Sequence, residues 1–294
     1  RQMPGTIKLV AIIVLAAVVV EIAGLLRQRD FRRIPRSLLY WGVVPLVPCG
    51  IAWLIGYYQA PTVLTILASI LLVIPVAPAL ARIMFQPIAD ASVLVLLIVA
   101  LATEFITSGV ALFFFGADGF RTQPLSSGSF TPVTGLTIDM QVILMIGAAI
   151  VVSGLFFVVF QRTTMGKVLR ATAINRIGAR LVGIRPARAA TLAYALASVL
   201  AGFIGILIAP VTTLYYDSGF LIGLKAFVAA LIGGLVSYPG TALGALFVGL
   251  FESLASFYSG ALKDAIVFGL LIPVLIIRSA LSVAHEEDVE ELDQ

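Results

Sequence analysis

The sequence predicts an all-α, polytopic membrane helical bundle of about nine transmembrane helices. Three observations predict it. Hydrophobic residues fill 61% of the 294 positions and charged residues only 12%, whereas a soluble domain sits nearer half apolar and a quarter charged. The mean hydropathy is +1.11, too apolar for a chain that faces water on all sides. The basic residues are gathered into a few short stretches between apolar runs, the pattern that sets membrane topology.

An apolar helix of about 20 residues crosses the hydrocarbon core. By that ruler the spans are expected at 7–26, 38–58, 61–81, 90–116, 138–160, 189–210, 220–236, 240–258 and 262–279. Lipid cannot satisfy free backbone groups, so these runs must be helical. Pro45 and Pro48 interrupt the second, Pro75 and Pro78 the third, and Pro273 the last. The turn Ser237-Tyr238-Pro239-Gly240 joins the seventh to the eighth. The first run is longer than a signal-peptide core and no small-residue cleavage pattern follows it, so it reads as a span. The chain opens on Arg1, as expected of a start that has been trimmed. Residues 1–282 are read as one transmembrane domain and 283–294 as an acidic tail.

Orientation follows from the positive charges. Arg27, Arg29, Arg32, Arg33 and Arg36 lie between the first two spans, and Arg82 follows the third. Arg162, Lys167, Arg170, Arg176, Arg180, Arg185 and Arg188 lie between the fifth and sixth, and Arg278 ends the ninth. Nine crossings put all of these on one side, which should be the cytoplasm. The N-terminus then lies outside and the C-terminus inside. The net charge of +4 is thereby a topology signal, and nucleic acid is not an expected partner. Membrane lipid is.

The most informative stretch is the basic loop from Thr163 to Ile184. Its apolar residues have helical spacing, with Ile174, Ile177 and Leu181 on one face and Arg176 and Arg180 nearly opposite. Gly183 is placed to stop the helix. Such a helix can lie on the membrane surface or dock into a groove on a partner, and spacing alone does not choose.

Three ordered segments carry a resemblance. Gly166-Lys167-Val168-Leu169-Arg170-Ala171 is followed by Ala179-Arg180-Leu181-Val182-Gly183-Ile184. Lys225-Ala226-Phe227-Val228-Ala229-Ala230-Leu231-Ile232-Gly233-Gly234 is followed by Pro239-Gly240 and Gly244. Phe85-Gln86-Pro87-Ile88, with Ala91-Ser92, precedes both. Together these resemble the branched-chain amino acid ABC permeases of the LivH type, over roughly residues 82–279. The Asn-Phe-Ala-His-Gly-like element usual in that family's first helices does not occur between Arg1 and Ala81.

The resemblance implies an importer of a small polar solute, most simply a branched-chain or related amino acid, across the cytoplasmic (inner) membrane. It implies separate ABC ATPase subunits that bind ATP, a second permease, identical or homologous, and an external solute-binding protein. It implies that the basic loop couples to the ATPase, through Ala171, Ile174, Asn175, Arg176, Ile177, Ala179, Arg180, Leu181 and Gly183. An ion-coupled secondary transporter or channel is the alternative. Broken helices suit it, but the chain has few buried acidic or histidine residues.

Ionisable residues inside spans are costly and mark function or pairing. Glu104 and Glu252 lie deep enough to line a translocation path. Glu21 and Lys225 sit near span ends, where snorkelling is expected. Ala226, Ala230 and Gly234, with Gly240 and Gly244, form small-residue ridges that let helices approach closely. No Walker A pattern occurs, since Gln161 stands where its first glycine is needed before Gly166-Lys167. One cysteine and one histidine, Cys49 and His285, leave no disulfide, no metal set and no nucleophile–base pair to assemble. The chain is therefore expected to be a transport subunit, with no catalytic residue, metal or cofactor of its own.

Overall fold

The computed structural model describes residues 3–27, 35, 38–58, 61–89, 91–126, 128–133, 136–234, 237–260, 262–269, 273 and 276. They form two compact units, Arg1–Tyr216 and Asp217–Gln294.

In the first unit the apolar runs become helices, as the lack of backbone partners in lipid requires. Helix α1 is Met3–Arg27. A π-helical turn, Leu39–Val43, leads into α2, Val44–Tyr57, with Pro48 inside it. The third run is not one rod. It is split into α3, Thr62–Val73, and α4, Val76–Leu80, and it ends in a second π-helical turn, Ala81–Phe85. Pro75 stands at the joint, where a proline removes a helix donor and crowds the preceding turn. The joint is supported from outside: the Ala77 amide donates to Ser198 Oγ at 3.3 Å, and Ser198 is only 3% exposed.

Helix α5, Val93–Phe115, stops at Gly116, whose φ of 78° only glycine adopts cheaply. Two short antiparallel strands follow, β1 (Ser129–Val133) and β2 (Leu136–Asp139), a hairpin the all-helical reading does not anticipate. Helices α6 (Met140–Arg162), α7 (Thr164–Ile174), α8 (Arg176–Leu181) and α9 (Pro186–Ile208) complete the unit. Its core joins Val10 and Val14 of α1 to Cys49 and Ala52 of α2 and to Ala68 and Leu72 of α3. By contrast, α5 and α6 turn large apolar side chains outward, among them Leu97, Phe105, Ile150 and Val151. Water would penalise that surface, and hydrocarbon does not.

The two ends of this unit are fixed by cross-connections. Arg176 donates to the Ala89 carbonyl at 2.6 Å, and Gln86 to Thr191 Oγ1 at 3.2 Å. The turn after α4 and the loop between α6 and α9 therefore share one end. At the other end Phe120 and Leu214 exchange backbone hydrogen bonds of 2.8 and 2.9 Å, so the loop after α5 meets the loop after α9. Arg82 and the arginines of 162–188 thus lie at a common end, as their sequence positions led us to expect.

The second unit contains α10 (Ser218–Gly233), α11 (Tyr238–Tyr258) and α12 (Lys263–Gly269). Val228, Ala229, Val248 and Val267 form its core.

Among the described residues, seven helical stretches are long and apolar enough to span a bilayer. They match the first six expected spans and the eighth. The expected seventh, 220–236, corresponds to α10, a shorter apolar helix of 16 residues. Most of the expected ninth and the whole acidic tail, 283–294, lie outside the described residues.

Candidate functional site

The basic loop between α6 and α9 is folded tightly rather than loose. The chain turns sharply at Thr163, whose hydroxyl accepts from the Gly166 amide at 3.2 Å and caps α7. A side chain at Gly166 would run into the backbone of Val159 and Phe160, so the turn needs glycine. Arg170 reaches back to the Phe160 carbonyl at 3.3 Å.

One expectation is corrected. The stretch is not a single amphipathic helix. It breaks at Asn175, which takes an extended conformation (φ −144°, ψ 102°) and accepts the Gly178 amide on Oδ1 at 2.8 Å. Asparagine competes well for such amides, which is why it favours helix starts over helix interiors. Helix α8 then ends in a Schellman motif: the Gly183 amide donates to the Arg180 carbonyl and the Ile184 amide to that of Ala179, with Gly183 at φ 82°. The expected stop at Gly183 is where the helix ends.

Despite the break, the apolar residues still form one outward patch. Ile174, Ile177, Leu181 and Val182 are 71–84% exposed. The other residues expected to touch a partner take different places. Ala179 is turned inward at 4% exposure, Ala171 is half-buried, Arg176 is tied to Ala89, Arg180 is exposed and Asn175 is the cap. Val182, absent from the expected set, belongs to the patch. It stands at the C-cap of α8, outside the helical spacing, so the sequence carried no signal for it.

Two sets of ionisable residues within helices are paired. Arg82 Nε donates to Glu21 Oε2 at 2.6 Å, and Glu21 is 10% exposed. Snorkelling does not describe Glu21. In the second unit Lys225 Nζ lies 2.6 Å from Glu252 Oε1 and 2.9 Å from Asp264 Oδ1. One charged side chain from each of α10, α11 and α12 thus meets at one point. Lys225 does not snorkel either, and Glu252 is occupied as its counter-ion. Asp264 could not be singled out beforehand, because nothing in a linear sequence pairs it with a lysine on another helix. Glu104 of α5 is half-buried and accepts from Ser108 Oγ at 3.0 Å.

The small-residue ridge is used, but not in the register expected. Side chains at Gly240 and Gly244 would run into the carbonyls of Gly233 and Ala229, so α10 and α11 cross backbone to backbone. The contacting row on α10 is Ala229 and Gly233. Ala226 is exposed, Ala230 is half-buried, and Gly234 serves as a left-handed helix cap at φ 96°.

Residues 43–275 match the family described as the branched-chain amino acid transport system / permease component. The branched-chain amino acid permease protein BraD of Pseudomonas aeruginosa is 26% identical over 266 residues, covering 82% of this chain and 86% of BraD. The corresponding protein LivH of Salmonella typhimurium is 31% identical over 210 residues, 67% of this chain and 66% of LivH. A probable LivH of Methanocaldococcus jannaschii is 29% identical over 133 residues, 45% of this chain and 42% of that protein. No solved structure matches. The match to the family runs from the start of α2 past α12 and takes in both the braced basic loop and the α10–α11 crossing: the chain is a multi-pass membrane protein and belongs to the permease-component family of branched-chain amino acid transport systems.

Proposed function

We propose that the chain is the membrane-embedded permease subunit of an ATP-driven importer for a branched-chain or related amino acid. It works in the cytoplasmic membrane beside a second permease, with ATP bound and hydrolysed on a separate ATPase subunit and solute delivered by an external binding protein. BraD and LivH are named as permease proteins of high-affinity branched-chain amino acid transport systems, which supports the substrate class.

The observation that carries this reading is the apolar patch on the basic loop. Four large apolar side chains stand out from a segment braced by a cap at Asn175, a Schellman stop at Gly183 and the tether from Arg176 to Ala89. Burying each such side chain against a partner is worth about 1.5–3 kcal/mol. The positive-inside rule faces this end to the cytoplasm, where an ATPase operates. Because the segment is braced at both ends, a push on it reaches α6 and α9 rather than dissipating in a loop. Two discrete packings of those helices, biased by nucleotide on the partner, would alternate access to the solute.

The test is to co-express the chain with its candidate ATPase and measure solute-stimulated ATP hydrolysis and uptake. An ATPase should co-purify, and Arg180→Glu, at the edge of the patch, should lower uptake at least tenfold. The reading fails if no ATPase co-purifies and Arg180→Glu leaves uptake intact. Uptake that outlasts ATP depletion but collapses with the ion gradient would favour the ion-coupled alternative.

A further inference from the structure

Beside the end of the basic loop, at Gly183 and Ile184, lies a cleft of about 1580 Å³. It opens within the first unit, between the π-helical turn that leads into α2, the second π-helical turn and the first turns of α9. Trp41, Arg82, Gln86, Arg185, Arg188 and Thr191 supply its polar and aromatic wall, and Val168, Leu192 and Ala195 its apolar one.

The charges in this cleft are unequal. Arg82 is engaged: it is paired with Glu21, donates to Gln86 and lies over the Trp41 ring at 5.8 Å. Its position is fixed and its charge is offset. Arg185 and Arg188 are exposed, and among the described residues neither has a side-chain hydrogen bond or an ion pair. They stand three apart at the start of α9, where residues at that spacing share a face, and the helix terminus adds a positive partial charge. Two guanidinium groups at a helix start match the oxygens of a phosphate group.

We propose that this cleft binds a phosphate-bearing anion, and that its source is the headgroup of an anionic membrane lipid. The apolar wall is the reason for choosing a lipid. Val168, Leu192 and Ala195 offer a surface for the glycerol and upper acyl chain. Tyr40 and Trp41 sit at the start of the Leu39–Tyr57 span, where amphipathic rings mark the headgroup level. Basic pockets between spanning helices take lipid headgroups by this chemistry. A soluble phosphate compound would use the arginines but leave the apolar wall empty.

The chain has two tryptophans, so Trp53→Phe leaves Trp41 as a single reporter inside the cleft. The full-length Trp53→Phe chain is reconstituted into phosphatidylcholine vesicles containing brominated phosphatidylglycerol or, at equal fraction, brominated phosphatidylcholine. Trp41 fluorescence should be quenched more by the anionic lipid. Arg185→Gln and Arg188→Gln should each cut the relative association of the anionic lipid about fivefold, in line with the contribution of one basic side chain near a charged headgroup. The pair Arg185→Lys with Arg188→Lys should keep most of the preference. Equal quenching by the two lipids overturns the proposal. So does a preference that survives both glutamine substitutions, or one that falls equally with Arg162→Gln and Lys167→Gln, which change the same face outside the cleft. If the two lipids quench equally while inorganic phosphate alone changes Trp41 fluorescence in a way that Arg185→Gln and Arg188→Gln abolish, the phosphate chemistry stands and the lipid source is overturned.

Discussion

The two ends of the first unit carry their longest loops in opposite ways. At one end, the stretch from Thr163 to Arg185 is rich in arginine and turns Ile174, Ile177, Leu181 and Val182 outward. At the other, the stretch from Gly116 to Asp139 closes onto its own neighbours. Arg121 donates to the carbonyls of Pro210 and Val211 at 3.0 and 3.3 Å. Gln141, 3% exposed, accepts from the Leu125 amide and donates to the Leu207 carbonyl, both at 3.1 Å. Gly119 lies so close to Thr213 and Tyr215 that any side chain there would collide. Both loops are ordered by side-chain caps and tethers. The first leaves the more exposed apolar surface, with four side chains at 71–84%, while in the second Leu125 and Phe130 are 39% and 53% exposed. The difference teaches that bracing and burial are separate properties: a loop can be rigid without being self-sufficient.

The largest effect should come from attacking the uncovered surface. Ile177→Asp with Leu181→Asp removes two large apolar groups from the patch and should abolish coupled ATP hydrolysis, a loss of at least 100-fold, since every ~1.4 kcal/mol is tenfold. The chain should still insert and melt normally in detergent, because these side chains are 73% and 84% exposed. A drop in melting temperature equal to the loss of coupling would erase the contrast between the ends.

Next comes the self-contained end. Gln141→Leu strands the part-buried Leu125 amide and the buried Leu207 carbonyl, and a buried unmade bond costs about 1–3 kcal/mol. Thermal stability should fall measurably, while co-purification with the ATPase should not. The smallest effect is expected from Asn175→Ala, which removes one cap worth about 1 kcal/mol. It should loosen α8 and slow uptake several-fold with little change in melting. If uptake is unchanged, rigidity of the basic loop has no part in coupling.

Much of the bundle was legible in the apolar runs, because a membrane leaves the backbone few choices. The joint near Pro75 was legible too, through the missing donor. The division of α7 from α8 was not, because Ile174, Ile177 and Leu181 keep helical spacing straight across it. A single polar cap at Asn175 outcompetes that periodicity locally. The ion pairs were hidden for a different reason. Glu21 and Arg82, or Lys225 and Asp264, are far apart in sequence, and only the packing of separate helices brings them together. The hairpin of β1 and β2 carried too short a pattern to stand out from its polar surroundings.

The bond from the Ala77 amide to Ser198 gives the split third span a further property. A continuous rod can only tilt as a whole, while a jointed one lets its halves point in different directions. Here the lower half leans on α9 through a rotatable hydroxyl. Any sliding of α9 along its axis must either drag α4 with it or leave a bare amide in oil. The bilayer itself thereby penalises independent movement of the two, and the pair behaves as one mechanical part without any covalent link between them.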